Sequence, residues 1–186
     1  MSALCVRKRL LRHLAHSSWM RFLASSRPTD KDSTNKRTDE YGGLIENRAR
    51  LLLQVVDAVV SVWGAGRVGV HLSPRGDVHD MGDSDSAATF GYVADELRHR
   101  AIAFICARES VGDDQIGPEL KKRFGGVYIV NEGFTREQAE RVIVSGEADA
   151  VAFGKLFIAN PDLPKRFSTN AELNLPNPET FYGGDE

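Results

Sequence analysis

The sequence contains few cysteines, and their spacing matches neither a metal site nor a disulfide framework. Cys5 and Cys106 are its only two, whereas such sites require closely spaced pairs. Cys106 lies within an apolar run, which favours a buried and inert thiol. Long apolar runs are also missing, and none approaches the roughly 20 residues that are needed to cross a bilayer. We therefore expect no metal site, no transmembrane segment and a cytoplasmic location.

A strong charge of either sign is missing as well. The formal net charge is -2, which excludes a nucleic-acid binder that relies on bulk positive charge. Hydrophobic residues make up 41% and charged residues 27% of the chain, a composition typical of a folded domain rather than a disordered one. The 186 residues suit one domain, although a complete (β/α)₈ barrel usually takes about 250.

Residues 1–31 differ in composition from the remainder. Residues 1–27 include six Lys or Arg, several serines and no acidic residue. Such a composition is typical of a transit peptide and is also compatible with a basic amphipathic helix on a membrane or partner surface. We favour a third interpretation, a basic, poorly ordered or helical leader, and we assign the domain to residues 32–186.

The remaining chain alternates helical and strand patterns. Apolar periodicity predicts helices over residues 44–63, 86–100, 118–124 and 135–145, and short apolar strands over residues 67–72, 101–107, 126–130 and 149–153. Thr135 and Gln138 have the spacing of a capping box. The order indicates parallel β-α units. Spacing alone does not separate half of a (β/α)₈ barrel from a small doubly wound sheet.

The stretch from Asp149 to Leu163 has the organisation of an anion site. Its strand ends at Gly154, where a glycine permits close approach to the backbone, and Lys155 follows with a positive charge. Asn160-Pro161 is predicted to end one helix and begin another, because proline suits the first helical position. In (β/α)₈ barrels a phosphate site often forms after strands 7 and 8 together with a short extra helix.

Functional residues of parallel β-α folds gather at the carboxyl ends of the strands. Those ends carry His71 with Ser73, Arg108 with Glu109, Asn131 with Glu132, and Gly154 with Lys155. We interpret Arg108 and Glu109 as an ion pair. His71 is equally compatible with a hydrogen-bonded core histidine, and residues 131–133 with a plain turn. The patterns of a Walker loop, a dinucleotide-binding glycine loop and a Ser-His-Asp triad are not found.

Five segments carry a family resemblance. They are Arg37-Thr-Asp-Glu-Tyr-Gly-Gly-x-Ile-Glu-Asn-Arg-Ala-Arg50, Val68-Gly-Val-x-Leu-Ser-Pro74, Asp149-Ala-Val-Ala-Phe-Gly154, Phe157-Ile-Ala-Asn-Pro-Asp-Leu163 and Phe181-Tyr-Gly-Gly184. In this order they resemble the old yellow enzyme family, in the branch of N-ethylmaleimide and nitrate-ester reductases. The resemblance implies an α/β fold, namely the C-terminal half of a (β/α)₈ TIM barrel with about four parallel β-α units, and FMN at its C-terminal face.

The resemblance also implies roles for individual residues. Gly154 and Lys155 look like the family's Gly-Arg pair on the FMN phosphate, and a lysine lacks the arginine's bidentate fork. Asn131, Glu132 and Gly133 occupy the turn whose amides meet the phosphate.

Two further cofactor-binding positions follow from the same resemblance. His71 stands where an arginine usually faces the flavin pyrimidine ring, and Tyr182 lies in the segment that approaches the cofactor. The family's substrate-binding His pair and proton-donor tyrosine have no counterpart, so no catalytic residue is assigned. His13 and His16 share only the spacing of such a pair.

The implied activity is reduction of an activated alkene, a nitro compound or a nitrate ester with NAD(P)H. Because the family's first four strands have no counterpart, we expect a truncated half-barrel that is inactive alone. The alternative is a non-catalytic binding or oligomerisation module, including a homo-oligomer that covers open strand edges. A phosphate-binding barrel without flavin is a weaker alternative.

Overall fold

The computed structural model describes residues 23–25, 30–75 and 82–181, and residues 23–25 as backbone only. It contains one parallel sheet whose strands follow the chain in order from β1 to β5. The strands are β1 (Leu23–Ser25), β2 (Gly69–Leu72), β3 (Phe104–Arg108), β4 (Val127–Asn131) and β5 (Ala150–Ala152). The four predicted strands are thus present, and all their carboxyl ends lie at one edge of the sheet.

Helices connect these strands in the order that the periodicity predicts. They are α1 (Ile45–Trp63), α2 (Ser86–His99), α3 (Gly117–Phe124), α4 (Arg136–Val144), α5 (Lys155–Ala159) and α6 (Leu163–Thr169), with 3₁₀ turns at Ala65–Arg67 and Pro178–Thr180. The capping box at Thr135 and Gln138 is confirmed. Across residues 30–75 and 82–181, no helix has both the length and the apolar character that crossing a membrane requires.

One predicted helix start is wrong. Pro161 lies in a turn, and α6 begins at Leu163 with Pro164 in its first turn. The turn is closed by the Leu163 amide, which donates to the Asn160 carbonyl at 2.9 Å. Asn160 is fully buried, and its side-chain oxygen accepts from the Asn174 amide at 2.8 Å. The chain direction therefore changes at Asn160 before the next helix begins.

Strand β1 lies inside the segment interpreted as a leader. It pairs with β2 in parallel, with Leu23 opposite Gly69. Residues 1–22 and 26–29 of that segment lie outside the described residues, among them Cys5, His13 and His16. Asp30 and Lys31 are buried. The boundary at residue 32 stays a prediction, with structure already present on its N-terminal side.

The helix-covered face of the sheet forms the core. Alternate strand residues point to opposite faces, and one set packs beneath α1 and α2. That set comprises Val70, Leu72, Ile105, Ala107 and Tyr128, all fully buried, and the helices contribute Leu52, Val56, Phe90, Val93 and Leu97. Burial of such a side chain stabilises the fold by about 1.5–3 kcal/mol. This face therefore fixes where the strand ends lie.

The opposite face of the sheet has mixed chemistry. His71, Cys106, Ile129 and Ala150 lie opposite one another across β2 to β5. The next row on this face lies two residues further along the strands, toward their carboxyl ends, and consists of Arg108, Asn131 and Ala152. The sheet's polar strand residues therefore collect on this face and at the edge where functional residues are expected.

A buried arginine joins the first loop to two helices. The guanidinium of Arg48 on α1 donates to the Asp30 carbonyl at 2.8 Å, the Gly43 carbonyl at 2.6 Å and the Thr89 hydroxyl at 2.9 Å. Asp83 lies 3.9 Å from the same group. Arg48 lies in the quoted Arg37–Arg50 motif, so in this chain that motif has a structural role.

Candidate functional site

A cleft of about 770 Å³ opens at the carboxyl ends of β4 and β5. The turns after these two strands form one wall, and α6 with the chain that follows it forms the other. Five of the seven predicted cofactor-binding residues line it: Asn131, Glu132, Gly133, Gly154 and Lys155. Residues from two separate predictions, the 131–133 turn and the Gly154-Lys155 pair, therefore meet at one place.

The turn after β4 has unusual backbone geometry. Glu132 has a φ of 98° and Gly133 a φ of 71°, and side chains other than glycine seldom adopt such values. A Cβ on Gly133 would meet no atom within 4 Å, so the turn faces open space. The amides of Gly133 and Phe134 donate no hydrogen bond to any residue that the structure describes. Both residues line the cleft.

The Glu132 carboxylate is held by an arginine of the neighbouring strand. Its Oε2 accepts from the Arg108 Nε at 2.6 Å, and the two side chains are 37% and 33% exposed. Arg108 lies directly opposite Asn131 in the β3–β4 register. Arg108 and Glu109 therefore do not form the predicted ion pair, because Arg108 pairs with Glu132 across the sheet.

Glu109 has a different, structural task. It is 2% exposed, and its carboxylate accepts from the Ile116 and Gly117 amides at 2.9 Å each, at the start of α3. Burial raises the pKa of Glu109 above its ordinary value, against the lowering effect of these two hydrogen bonds. A Cβ on Gly117 would lie 2.7 Å from the Glu109 Oε2, so only glycine fits this contact. Both oxygens of this carboxylate are therefore engaged in hydrogen bonds inside the fold.

The turn after β5 supplies a free cation and free amides. Lys155 is exposed and forms no ion pair or side-chain hydrogen bond within the described ranges. The Phe157 and Ile158 amides both donate to the Gly154 carbonyl, which leaves the preceding helical amides without intrahelical acceptors. A Cβ on Gly154 would meet nothing within 4 Å. This turn presents positive charge to open space.

The other two cations of the cleft are already paired. Arg136 donates to the Asn170 side-chain oxygen at 2.6 Å and to Glu140 at 3.2 Å. Arg166 donates to Asp162 at 2.7 Å and to the Glu172 carbonyl at 2.6 Å. These bonds link α4 and α6 to the chain beyond α6. Arg136 and Arg166 thus build the cleft wall, and Lys155 keeps its charge available.

An apolar surface adjoins these polar groups. The rings of Phe153 and Phe167 meet edge to face with centroids 5.2 Å apart, and Leu156 and Leu173 also line the cleft. The cleft therefore combines an end that carries free amides and an unpaired ammonium with an apolar wall, as expected of pockets for small ligands.

The remaining two predicted residues lie elsewhere. His71 does not line the cleft; it lies on the same face of the sheet, two strands from β4, which is about 10 Å at ordinary strand spacing. Tyr182 lies outside the described residues. The prediction for Tyr182 stays a prediction, and His71 belongs to the sheet face rather than to the cleft.

Cys106 neighbours His71 on this face, in register across β2 and β3. Burial raises the pKa of its thiol to about 11, so the thiol stays protonated at neutral pH. Residues 30–75 and 82–181 contain no cluster of His, Cys, Asp or Glu suited to a metal ion.

Some cleft residues were not predicted. Thr135, Arg136 and Glu137 follow the β4 turn directly, so their position at the start of the next helix is a signal that the sequence contains. Arg166, Asn170 and Leu173 carry no such signal. They line the cleft because α6 and the chain that follows it form one of its walls.

These features fit a phosphate ester that also carries an apolar group. Free amides at residues 133, 134, 155 and 156 are suitable phosphate donors, and Lys155 supplies a point charge for the same anion. The backbone amides of these two turns and the Lys155 ammonium could hold the phosphate of FMN, whereas the Glu132 carboxylate could not. His71 on the sheet face lies where it could meet a more distant part of such a cofactor.

Comparisons with known proteins agree with this fit. Residues 30–174 match the family described as NADH:flavin oxidoreductase / NADH oxidase. The chain is 42% identical over 166 residues to 12-oxophytodienoate reductase 1 of Oryza sativa subsp. japonica, covering 83% of this chain and 43% of that protein. It is 41% identical over 158 residues to a probable flavin mononucleotide-dependent alkene reductase of Leishmania infantum, covering 82% and 42%.

A solved structure shows the same fold. Morphinone reductase in complex with tetrahydroNAD has a TM-score of 0.85 at 36% identity, covering 100% of this chain and 55% of that one. The chain therefore spans less than half the length of these curated relatives and about half of a solved barrel enzyme. The predicted α/β half-barrel is confirmed.

Proposed function

The chain belongs to the NADH:flavin oxidoreductase / NADH oxidase family, as its resemblance to the old yellow enzymes predicts, and we propose that it binds FMN with the phosphate in the cleft at the ends of β4 and β5. The cofactors of this family are FMN and a nicotinamide reductant. One observation carries the proposal. The 131–133 turn and the Gly154-Lys155 pair converge on one open cleft and leave their amides and ammonium free.

In this proposal each group has a defined task. The free amides of Gly133 and of the Gly154 turn donate to phosphate oxygens, and the Lys155 ammonium neutralises their charge. A lysine binds as a point charge, without the two parallel hydrogen bonds that an arginine would add. His71 would contact the pyrimidine edge of the ring system and would donate a hydrogen bond there, or a charge when protonated.

We further propose the reaction class. If FMN is bound here and reduced by NAD(P)H, it would supply the hydride for reduction of an activated alkene such as an enone or a maleimide, with nitro compounds and nitrate esters as a second substrate class. Support comes from the alkene reductase and the 12-oxophytodienoate reductase among the relatives. The described residues contribute binding and orientation in this scheme, and none is assigned as a proton donor.

The direct test is flavin binding by the 186-residue chain. We expect a flavin absorbance band that travels with the purified protein, or saturable binding on titration with FMN. Addition of NADPH under nitrogen should then bleach the band, and NADH serves as the comparison. A chain that takes up no FMN at high micromolar concentration would refute the proposal.

A matched pair of variants at Lys155 localises the phosphate. Lys155→Met removes the charge at similar length, and we expect it to weaken FMN binding by about tenfold through loss of one charge-assisted contact. Lys155→Arg should bind at least as tightly as the wild type. Riboflavin, which lacks the phosphate, is the control ligand and should bind all three proteins alike. Equal FMN affinity for the methionine variant and the wild type would show that Lys155 is not at the phosphate.

A second candidate is a non-catalytic binding or oligomerisation module. It is favoured by the open face of the sheet, where Val127, Ile129 and Ala150 are only half-buried and Ala152 is exposed. In this alternative a second copy covers that face. Analytical ultracentrifugation from low to high micromolar concentration tests it, and a monomer throughout that range would count against the alternative.

A further inference from the structure

We propose that Arg108 is a positioning residue for the anion-binding end of the cleft, which it keeps open to phosphate by holding the Glu132 carboxylate aside. The inference rests on the proposed function, because the anion is taken to be the FMN phosphate. It goes further in assigning a task to a residue outside the cleft wall. It also explains how an acidic side chain is tolerated in that wall.

Glu132 is an obstacle to anion binding. It lines the cleft between Asn131 and Gly133. Its side chain therefore begins next to the amides that would bind the phosphate. Two negative groups at such short range repel each other, and an open cleft screens the repulsion only in part. A carboxylate that swung inward would also accept hydrogen bonds from the free amides, which would then be lost to the phosphate. The site therefore needs a means of keeping this side chain away.

Arg108 supplies that means. Its Nε lies 2.6 Å from the Glu132 Oε2, and it belongs to β3, the strand on the far side of β4 from β5. Lys155, which follows β5, lies on the opposite side of Glu132 in strand order. The ion pair therefore draws the carboxylate away from Lys155. Arg108 itself does not line the cleft, so its effect on the anion passes through Glu132.

A purely structural role fits the pair less well. Both side chains are about a third exposed, and ion pairs of that kind contribute little to folding stability because solvent screens them. Glu132 also adopts a φ of 98°, a region that favours glycine. The residue therefore lies on a strained backbone and gains little stability from its partner. The role that we assign to the Arg108–Glu132 pair is therefore to keep the carboxylate away from the position of the phosphate.

The test measures FMN and riboflavin binding to five forms of the full chain: wild type, Arg108→Gln, Glu132→Gln, the Arg108→Gln/Glu132→Gln double variant and Glu132→Gly. Releasing the carboxylate in Arg108→Gln should weaken FMN binding by about tenfold. Glu132→Gln should bind at least as tightly as the wild type. The FMN affinity of the double variant should lie within about threefold of that of Glu132→Gln, because residue 132 then carries no charge that could repel the phosphate. Riboflavin affinity should be the same in all five.

Specific outcomes overturn the inference. If the double variant stays as weak as Arg108→Gln, then Arg108 contacts the ligand itself. If Arg108→Gln binds FMN as the wild type does, the pair has no effect on the anion. Inorganic phosphate, used as a competitor of FMN, provides a second readout and should displace FMN from Glu132→Gln at least as effectively as from the wild type.

Controls separate misfolding from a binding effect. Circular dichroism and thermal unfolding identify a misfolded Arg108→Gln; in that case Glu132→Gln and Glu132→Gly carry the test. Loss of FMN affinity in both of these would overturn the inference. If the wild type binds neither FMN nor phosphate, the proposed function fails together with the inference. If the wild type binds and the variants depart from the expected pattern, only the role of Arg108 fails.

Discussion

Arg48 and Lys155 illustrate two opposite uses of positive charge. Arg48 is 8% exposed, and three acceptors from three parts of the chain surround its guanidinium. Lys155 is exposed in an open cleft and has no partner within the described ranges. A buried charge must have its hydrogen bonds met by the fold, whereas an exposed one can wait for a ligand. The difference separates residues that hold the molecule together from residues that are free to bind.

The largest expected effect comes from breaking the first of these arrangements. Arg48→Met removes the three hydrogen bonds that the guanidinium donates to Asp30, Gly43 and Thr89, which should lower the free energy of unfolding by about 3 kcal/mol. Arg48→Lys should recover little of it, because one ammonium does not reproduce the planar fork. Urea unfolding followed by circular dichroism measures both.

A neighbouring arginine supplies the control for that experiment. Arg50 also lies on α1, and its hydrogen bonds to the Glu40 carbonyl and to Asn47 are more exposed. Arg50→Met should cost less than about 1 kcal/mol. Equal losses for the two methionine variants would mean that the buried position of Arg48 adds nothing to stability.

An intermediate effect is expected at Glu109, a charge inside the fold that is not fully compensated. Its pKa is raised from an ordinary value of 4.5, so the native protein binds more protons than the unfolded chain between 4.5 and the folded pKa. Its contribution to stability is therefore complete below pH 4.5 and is lost as the pH rises through the folded value. The slope in that window is at most about 1.4 kcal/mol per pH unit.

Glu109→Gln removes this titration. We expect the variant to be less stable than the wild type by about 1 kcal/mol at pH 4, since an amide replaces one acceptor by a donor. The deficit should shrink as the pH rises toward 7, measured by urea unfolding at each pH. Glu119→Gln, on the exposed side of α3, should change stability by less than about 0.5 kcal/mol. A Glu109→Gln deficit that grows with pH would contradict a raised pKa.

The smallest stability effect belongs to the cleft. Lys155→Met should change the free energy of unfolding by less than about 0.5 kcal/mol, although it is the variant expected to weaken FMN binding. Thermal unfolding without ligand measures the first quantity and FMN titration the second. A substantial loss of stability in Lys155→Met would make this lysine a structural residue, and the contrast with Arg48 would disappear.

Local patterns predicted most of the fold. Helix α1, the capping box at Thr135 and the four apolar strands depend on residues close in sequence, so periodicity and end signals identify them. The helix start predicted at Pro161 is wrong because Asn160 is tied to Asn174, fourteen residues further on. The resemblance predicted the family, and the comparisons confirm it. The candidate site is harder to predict, because it lies at the carboxyl ends of strands that are separate in sequence.

The side-chain pairing was harder to predict. Arg108 and Glu109 are adjacent in sequence, but neighbouring residues of a strand point to opposite faces. Arg108 therefore reaches Glu132 across the sheet, and Glu109 turns into the fold to cap α3. The register of β3 against β4 decides this outcome, and a single sequence contains no direct signal for it.

The burial of Cys106 has a practical consequence for work with electrophiles. Enones and maleimides, the proposed substrates, also alkylate cysteine thiolates. With a pKa of about 11, only about one Cys106 side chain in ten thousand is a thiolate at pH 7. This thiol should therefore resist covalent capture during a turnover assay, and mass spectrometry after exposure to N-ethylmaleimide would show it unmodified.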